Sequence, residues 1–271
     1  MKEANDFKIE SDALYAVMSN LGDADFREST QFKGWTLNDV LEHLHMWNWA
    51  ANESYVNEGG FSTFIDTVIT ETKGGSLKPF ERKWIDGLSG RDLLETWRVF
   101  YTKMALTFES VDPKIRLKWA GPTMSARSSI SARLMETWAH GQEVFDHLGV
   151  VRRDGDHIKS IVVLGINTFE WTYVTRCEVT PGPLPYVRLT SPFGELWEFG
   201  SVSNTEFVEG LATEFCEVVT QVRNVADTRL RVAGGVALDW MSKAQCFAGG
   251  AESPPRPGTR FREVKSDIGV S

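Results

Sequence analysis

Two residues with metal-binding side chains, Glu136 and His140, lie four positions apart in the segment MSARSSISARLMETWAHGQEVFDHLG. In an α-helix, side chains at this spacing share one face. A carboxylate and an imidazole are two of the three protein ligands of an open metal site. Because the same spacing is also common on solvated helix faces, the pair alone is only a weak indication of a metal site.

A third ligand is available from His43, which lies in an earlier helical segment. Sites inside helical bundles recruit ligands from facing helices. Two imidazoles and one carboxylate leave a coordination position open, which is typical of a catalytic rather than a structural metal. Such a centre lowers the pKa of a bound water or thiol. Nitrogen and oxygen ligands accept zinc, nickel or iron, of which zinc is the first choice.

The elements that would position these residues are predicted to be helices in the first 150 residues. Apolar residues recur at helical spacing, and glycine or Asp-Pro follows each segment. The second segment begins with a capping-box-like start at Thr36. The predicted helices cover about 10–21, 36–56, 89–112 and 124–149, with an ambiguous stretch at 60–75. Four substantial helices predict a four-helix bundle.

The second half of the chain mixes helical and alternating patterns. A helix is predicted at 156–174, a hairpin near 186–200 around Phe193-Gly194 and a third strand in TEFVEG, followed by helices at 211–222 and 234–247. The sequence therefore predicts a fold class of α plus α+β. The expected domains are a bundle at 1–150, an α+β domain at 151–250 and a loose, polar, proline-rich tail at 251–271.

Composition limits the partners that we expect. With 29 basic and 37 acidic residues the net charge is -8, which disfavours nucleic acid and anionic membrane surfaces. The N-terminal segment has no signal-peptide apolar core, and no uncharged run approaches the roughly 18 residues of a membrane span. The three cysteines form no CxxC pair, and we expect them to be inert core residues. These features favour a cytoplasmic protein, whose oligomeric state they do not indicate.

Longer motifs carry a family resemblance. GWTLNDVLEHLHMW and the later WAGPTMSARSSISARLMETWAHGQEVFDHLG resemble the DinB-like metalloprotein superfamily, in particular its mycothiol-dependent maleylpyruvate isomerase family. SPFGELWEFG, VEGLATEFCEVVTQ and ALDWMSKAQCFAGG resemble the sterol-carrier-like C-terminal domain of these proteins. The resemblance covers about 10–250.

The resemblance implies that His43, Glu136 and His140 are the ligands of a divalent metal. It also implies that the low-molecular-weight thiol mycothiol binds at this metal as a thiolate. In the family the thiol adds to an electrophilic carbon, and it then leaves after bond rotation or stays as the new substituent. A small organic electrophile is therefore the expected substrate, and cis-trans isomerisation and S-transfer remain alternatives.

Five polar residues complete the predicted site. Arg133 is expected to pair with Glu136, to hold a substrate carboxylate, or to have no measurable role. Arg223, near the end of a predicted helix in the second domain, is a candidate catalytic anchor for an acidic group. The candidate residues for binding the hydroxyl-rich thiol cofactor are Asn48, Arg98 and Ser129.

Two other functions remain open at this point. In a metal-dependent hydrolase, water would replace the thiol at the same metal. In a non-catalytic binding protein, a sterol-carrier-like pocket would hold an apolar ligand, and the metal would only stiffen the bundle. Dependence of turnover on added thiol separates the first alternative from a thiol-dependent enzyme, and the absence of turnover in a metal-loaded protein favours the second.

Overall fold

The computed structural model describes residues 1–264. The chain forms two compact units, one covering Met1–Val144 and the other beginning at Phe145. The end of the predicted tail, 265–271, lies outside the described residues. The fold class is as predicted: the first unit is helical, and the second combines helices with a sheet.

The first unit is built from helices that enclose an apolar core. Its helices are α1 (Lys2–Met18), α2 (Leu37–Val56), α3 (Glu58–Thr72), α4 (Lys78–Ile85), α5 (Gly90–Glu109) and α6 (Ala126–Leu148), the last of which continues past Val144. Two short antiparallel strands, β1 (Arg116–Leu117) and β2 (Met124–Ser125), connect α5 to α6. Large side chains such as Trp97, Tyr101 and Phe108 of α5 are fully buried.

The start of α2 confirms the predicted capping box. The Thr36 hydroxyl accepts a hydrogen bond from the Asp39 amide at 3.1 Å, and the Thr36 amide donates one to the Asp39 carboxylate at 2.8 Å. These bonds satisfy amides that have no partner within the helix. Because the cap fixes where α2 begins, it also fixes which face of the helix carries each later residue. His43 lies two turns after the cap.

Two helices were not predicted clearly. The ambiguous stretch at 60–75 is the helix α3, and α4 follows it in a charged segment where no helix was expected. Both pack through an aromatic cluster onto α2. The cluster consists of Met46, Trp47, Ala50, Phe61, Phe64, Ile65, Val68 and Phe80, with Trp49, Leu77, Trp84 and Trp119 against it. This packing holds α4 beside the face of α2 that carries His43.

The second unit contains a four-stranded sheet within the described residues, in the order β4-β3-β5-β6. The strands are β3 (Tyr186–Thr190), β4 (Leu196–Phe199), β5 (Phe207–Leu211) and β6 (Arg231–Ala233). The predicted hairpin is confirmed by the antiparallel pairing of β3 with β4, and the third strand by β5. Strand β5 pairs with β3 in parallel. Phe207 lies opposite Tyr186, and Leu211 lies opposite Thr190.

The helices of this unit are shorter than predicted. The helix expected at 156–174 is divided into a 3₁₀ turn at Asp156–Ile158, α7 (Lys159–Asn167) and α8 (Phe169–Val174). The last two helices are α9 (Ala212–Val219) and α10 (Gly235–Met241). Thr168 lies at the break between α7 and α8, and its hydroxyl donates to the carbonyl of Leu164.

Two expectations for the second unit were wrong. The described part of the tail, 251–264, has no helix or strand, yet it is not loose, because side chains of the unit bind its backbone. The Gln221 amide donates to the carbonyl of Glu252, and the Asn224 amide to that of Pro255. Cys177 is exposed rather than buried, since it follows the end of α8 in a left-handed backbone conformation. No helix in residues 1–264 is both long enough and apolar enough to cross a bilayer.

Candidate metal centre

The three predicted metal ligands come together in the first unit. His43 of α2 faces Glu136 and His140 of α6, and one ligand atom from each lies within 4.8 Å of the others. The Glu136 Oε2 atom is 3.4 Å from Nε2 of His43 and 3.4 Å from Nε2 of His140. Tetrahedral zinc with bonds of about 2.0–2.1 Å separates its ligand atoms by about 3.3 Å. The two carboxylate–imidazole separations therefore match the spacing around a metal, and two imidazoles with one carboxylate are a donor set that divalent metals accept.

A fourth residue, Glu81 of α4, holds the His43 ring from behind. Its Oε1 atom lies 2.8 Å from Nδ1 of His43, and the residue is only 1% exposed. Because a carboxylate accepts hydrogen bonds, Nδ1 donates to Glu81, and a metal would replace the second proton of His43 on Nε2, the nitrogen that faces Glu136. A carboxylate behind a ligating histidine is the usual support of a metal site.

The carboxylates of the cluster favour a cation at this place, either a protonated histidine or a metal ion. Burial alone would lower the pKa of His43, but the carboxylates of Glu81 and Glu136 outweigh it and raise this pKa to about 9. Burial would raise the pKa of Glu136, yet hydrogen bonds from His140 and His43 hold it well below its usual range. Burial lowers the pKa of His140. The site thus keeps its carboxylate ionised, as a cation requires.

Aromatic rings enclose the two histidines. The indole of Trp35 is stacked on the His140 ring with 5.3 Å between centroids and an interplanar angle of 5°. Phe32 meets the same ring edge-on at 5.1 Å. The ring centroid of Trp47 lies 6.3 Å from that of His43. These contacts restrict the ligand rings and keep water away from one side of the cluster.

Arg133 lies one turn before Glu136 on α6 and is 3% exposed. Its Nη2 atom is 3.8 Å from Oε1 of Glu136, an ion pair that is longer than a hydrogen bond. Burial lowers the pKa of Arg133 from its ordinary value, which still leaves the side chain charged at neutral pH. The guanidinium also lies against the Trp119 ring, 5.1 Å from the centroid.

The other predicted site residues differ in their surroundings. Asn48 and Ser129 are buried, and their side-chain polar atoms have no hydrogen-bond partner among residues 1–264. Arg98 is half exposed, lies over the ring of Tyr15 of α1 at 4.4 Å from its centroid, and is 3.8 Å from Glu95 of its own helix, so none of these contacts is with the ligand helices. In the second unit, Arg223 pairs with Asp146 at 2.6 Å. The roles of Asn48, Ser129, Arg98 and Arg223 stay predictions.

A cavity of the first unit lies apart from the metal-binding cluster. It has a volume of about 570 Å³ and is lined by charged residues that include Asp39, Glu42 and Arg82. Burial, with help from Asp39, raises the pKa of Glu42 to about 7. Its buried carboxylates already have partners, since Glu42 accepts from Asn38 and Asp39 from Arg82. None of the three metal ligands lines this cavity.

Sequence reasoning missed Glu81, Trp35 and Trp119 as parts of the site. Glu81 lies in the charged run KPFERKW, where an acidic residue normally indicates a solvated helix face. Nothing in the sequence distinguishes Trp119 from an ordinary core tryptophan. The only available signal was the position of Trp35 directly before the capping residue of the ligand helix α2.

A helical unit with two histidines and one glutamate converging from facing helices defines a class of candidate metalloproteins. The sequence profile of the mycothiol maleylpyruvate isomerase N-terminal domain matches residues 7–145. Two proteins of Mycobacterium tuberculosis, Rv0036c of strain H37Rv and MT0041 of strain CDC 1551, are 33% identical to the chain over 254 residues, covering 93% of it and 96% of their own length. The chain therefore belongs to the mycothiol-dependent maleylpyruvate isomerase family.

Solved structures agree with the fold. The crystal structure of the mycothiol-dependent maleylpyruvate isomerase has a TM-score of 0.51 at 14% identity, and covers 80% of this chain and 87% of its own. A histidine-to-alanine mutant of that isomerase gives a TM-score of 0.52 with the same identity and coverage. At this identity the likeness shows a common fold.

Proposed function

We propose that this protein is a mycothiol-dependent metalloenzyme that acts on a small organic electrophile, by isomerisation or by S-transfer. The observation that carries the proposal is the convergence of His43, Glu136 and His140, with Glu81 fixing the tautomer of His43. Family membership supports mycothiol as the thiol, because the matching profile is that of mycothiol maleylpyruvate isomerases. We further propose zinc as the metal, since two imidazoles and one carboxylate are a common zinc set.

The protein groups have distinct tasks in this proposal. His43, Glu136 and His140 would hold the metal, which lowers the pKa of a bound thiol and so supplies the nucleophilic thiolate near neutral pH. Glu81 holds the proton on Nδ1 of His43, so that Nε2 would be the nitrogen that loses its proton and binds the metal. The rings of Trp35 and Phe32 limit the access of water to His140.

Elemental analysis combined with a thiol titration tests this function. We expect the purified protein to contain one zinc equivalent and to bind mycothiol with the release of close to one proton, measured calorimetrically in two buffers of different ionisation enthalpy at a pH below about 8.5, the pKa of a free thiol. The metal-free protein should show no proton release.

Variants sharpen the same test. The substitutions His43→Ala, Glu136→Ala and His140→Ala should each lower zinc content sharply after dialysis against a mild chelator. His45→Gln is the matched control, because His45 lies on the same helix but packs on Trp84 and Phe100 instead of facing the cluster. Turnover without any thiol would replace the proposal by a hydrolase, and full zinc content in the Glu136 variant would remove the metal assignment.

A further inference from the structure

The cavity at the start of α2 contains a buried carboxylate that is bonded on one side only. Its volume of about 570 Å³ is that of a small-molecule pocket, and Glu42 is one of the residues that line it. Glu42 is 6% exposed, and the Asn38 amide donates to its Oε1 atom at 2.6 Å. Its Oε2 atom has no hydrogen-bond donor within residues 1–264, and its carboxylate has no ion pair there. A buried carboxylate in this state costs free energy unless a bound donor or cation satisfies it.

The other buried carboxylate of the lining, that of Asp39, is already neutralised. Its Oδ2 atom lies 2.7 Å from Lys78, and its Oδ1 atom lies 2.8 Å from Arg82. Glu42 therefore supplies the negative charge that the interior of the cavity presents to a ligand. A single open carboxylate oxygen suits an ammonium group, which donates hydrogen bonds, better than a metal ion, which needs several ligand atoms.

Exposed arginines line the same cavity. They are Arg27 and Arg91. The guanidinium of Arg27 has no hydrogen bond or ion pair in the described chain, 1–264, and Arg91 binds a backbone carbonyl through one nitrogen, Nη1. Asn38 connects this side of the cavity with Glu42, because its Oδ1 atom accepts from the amide of Gly90 at 2.8 Å. Arginine binds carboxylates through two parallel hydrogen bonds, so both arginines are suited to an acidic group.

We propose that this cavity binds a small zwitterion that carries a primary ammonium group and a carboxylate, as free amino acids do. The ammonium donates to Oε2 of Glu42, and the carboxylate lies against Arg27 and Arg91. A ligand without net charge fits the lining, which has four acidic residues and three arginines, the third being Arg82. The buried ring of Phe26 provides apolar contact for the carbon chain. The site is separate from the proposed reaction, because none of the three proposed metal ligands lines it.

A series of amino acids with increasing distance between the two charges tests the site: glycine, β-alanine, 4-aminobutanoate and 6-aminohexanoate. Each is compared with the primary amine and the carboxylic acid of the same chain length. Saturation-transfer NMR at about pH 8, where free carboxyl groups are ionised and primary amines protonated, measures binding. We expect at least one amino acid to bind with a dissociation constant of about 1 mM or lower, and at least about tenfold more tightly than its matched amine. The proposal is wrong if no member of the series binds, or if the carboxylic acid binds as tightly as the amino acid.

Glu42→Gln keeps the shape of the side chain and an oxygen for Asn38, but it removes the charge. It should weaken binding of the best amino acid at least about tenfold. Glu53→Gln is the matched control, because Glu53 lies on the same helix and accepts from one asparagine, Asn57, at 3.1 Å, but does not line the cavity. The control should bind the amino acid as the wild type does. Equal affinities of Glu42→Gln and the wild type would overturn the proposal.

Replacement of the two exposed arginines leaves the core of the unit intact and tests the carboxylate end. The double variant Arg27→Gln, Arg91→Gln should lose the advantage of the amino acid over its matched amine and still bind the amine. Arg127→Gln removes an exposed arginine that pairs with Glu3 at 3.2 Å outside the cavity, and it should keep the full advantage. An unchanged advantage in the double variant would contradict a zwitterion that spans the cavity.

Amines and amino acids also coordinate metal ions, so the metal centre needs a control of its own. His140→Ala should bind the best amino acid as tightly as the wild type does, whether or not the protein binds zinc or a thiol. Loss of binding in His140→Ala, together with full binding by Glu42→Gln, would assign the ligand to the metal centre and overturn the cavity site.

Discussion

The His43 ring is held from both of its nitrogens, with Nδ1 against Glu81 and Nε2 towards Glu136. Because α4 supplies Glu81 and α6 supplies Glu136, the ring is fixed between two elements that are distant in sequence. A ligand fixed in this way loses little freedom when a metal binds.

This arrangement predicts that Glu81 controls zinc affinity without touching the metal. Glu81→Ala should lower the affinity about 10–100-fold, measured by competition with a chelator, because the orientation of His43 is lost. Glu81→Gln should lower it less, since the amide oxygen still accepts from Nδ1. Glu71→Ala, which removes an exposed carboxylate paired with Lys83 at 2.8 Å, should have no effect. Equal losses in the alanine and glutamine variants would show that the charge of Glu81 matters more than the orientation.

Asn48 offers a second prediction at this scale. The residue is fully buried, and neither end of its amide has a partner within residues 1–264. Asn48→Leu should therefore increase the free energy of unfolding, by about 1–3 kcal/mol in chemical denaturation. If Asn48 also binds the thiol cofactor, the same variant should bind mycothiol more weakly. Asn52→Leu, at a half-buried position one turn later, should change stability by less than about 0.5 kcal/mol. A destabilised Asn48→Leu protein would indicate that the amide is structurally satisfied.

At the scale of the element, sequence patterns located the ligand helices well and their neighbours poorly. Helix α2 has a capping box, and α6 carries its ligands four positions apart, so both could be read locally. Helix α4 could not be read from its own sequence, because it has few apolar residues. Its position depends on the packing of Phe80 against α2 and α3. Glu81 was missed for the same reason, since its partner is 38 residues away.

Helix α9 gives a prediction about pH. Burial, together with Asp146, Glu214 and Asp154 and against the effect of Arg223, raises the pKa of Glu217 from 4.5 to about 7. The folded protein therefore binds this proton more tightly than the unfolded chain. The stabilisation is fully present below about pH 4.5 and is lost as the pH rises through about 7.

Glu217→Gln should remove this dependence. The free energy of unfolding of the variant minus that of the wild type should be about 1–3 kcal/mol larger at pH 8 than at pH 5. Urea denaturation of both proteins at both pH values measures it. Glu170→Gln, at an exposed position of α8, is the control and should show no such difference. A pH-independent effect of Glu217→Gln would mean that Glu217 is ionised in the folded protein.

For the whole molecule, the sequence predicted the class of each half but not the sheet topology. Alternation identifies β3, β4 and β5, yet the parallel pairing of β3 with β5 depends on the path of 200–206, which follows no simple pattern. The order β4-β3-β5-β6 therefore had to come from the structure. The candidate site was easier to predict, because its three ligands lie on two regular helices.

The location of all three proposed ligands in Met1–Val144 has a consequence for stability. Zinc at about 100 times its dissociation constant stabilises the state that binds it by about 2.7 kcal/mol. Some amides of α2 and α6 exchange their hydrogens only when this unit unfolds. Their exchange should therefore slow by about 100-fold when zinc is added. Amides of β3 and β5 are the internal reference and should change less. Uniform slowing over both units, or none in α2, would contradict this expectation.

The face-to-face contact of Trp35 with His140 makes this indole an optical reporter. Excited indole transfers an electron readily to a protonated imidazole or a redox-active metal ion in contact with it, and its emission is then quenched. The emission of Trp35 should consequently follow the charge on His140 and the nature of the ion that His140 holds. The chain has ten tryptophans, so the signal of this one is the difference between the wild type and Trp35→Phe. Binding of iron, one of the metals that this donor set accepts, could then be followed by fluorescence in the unlabelled protein.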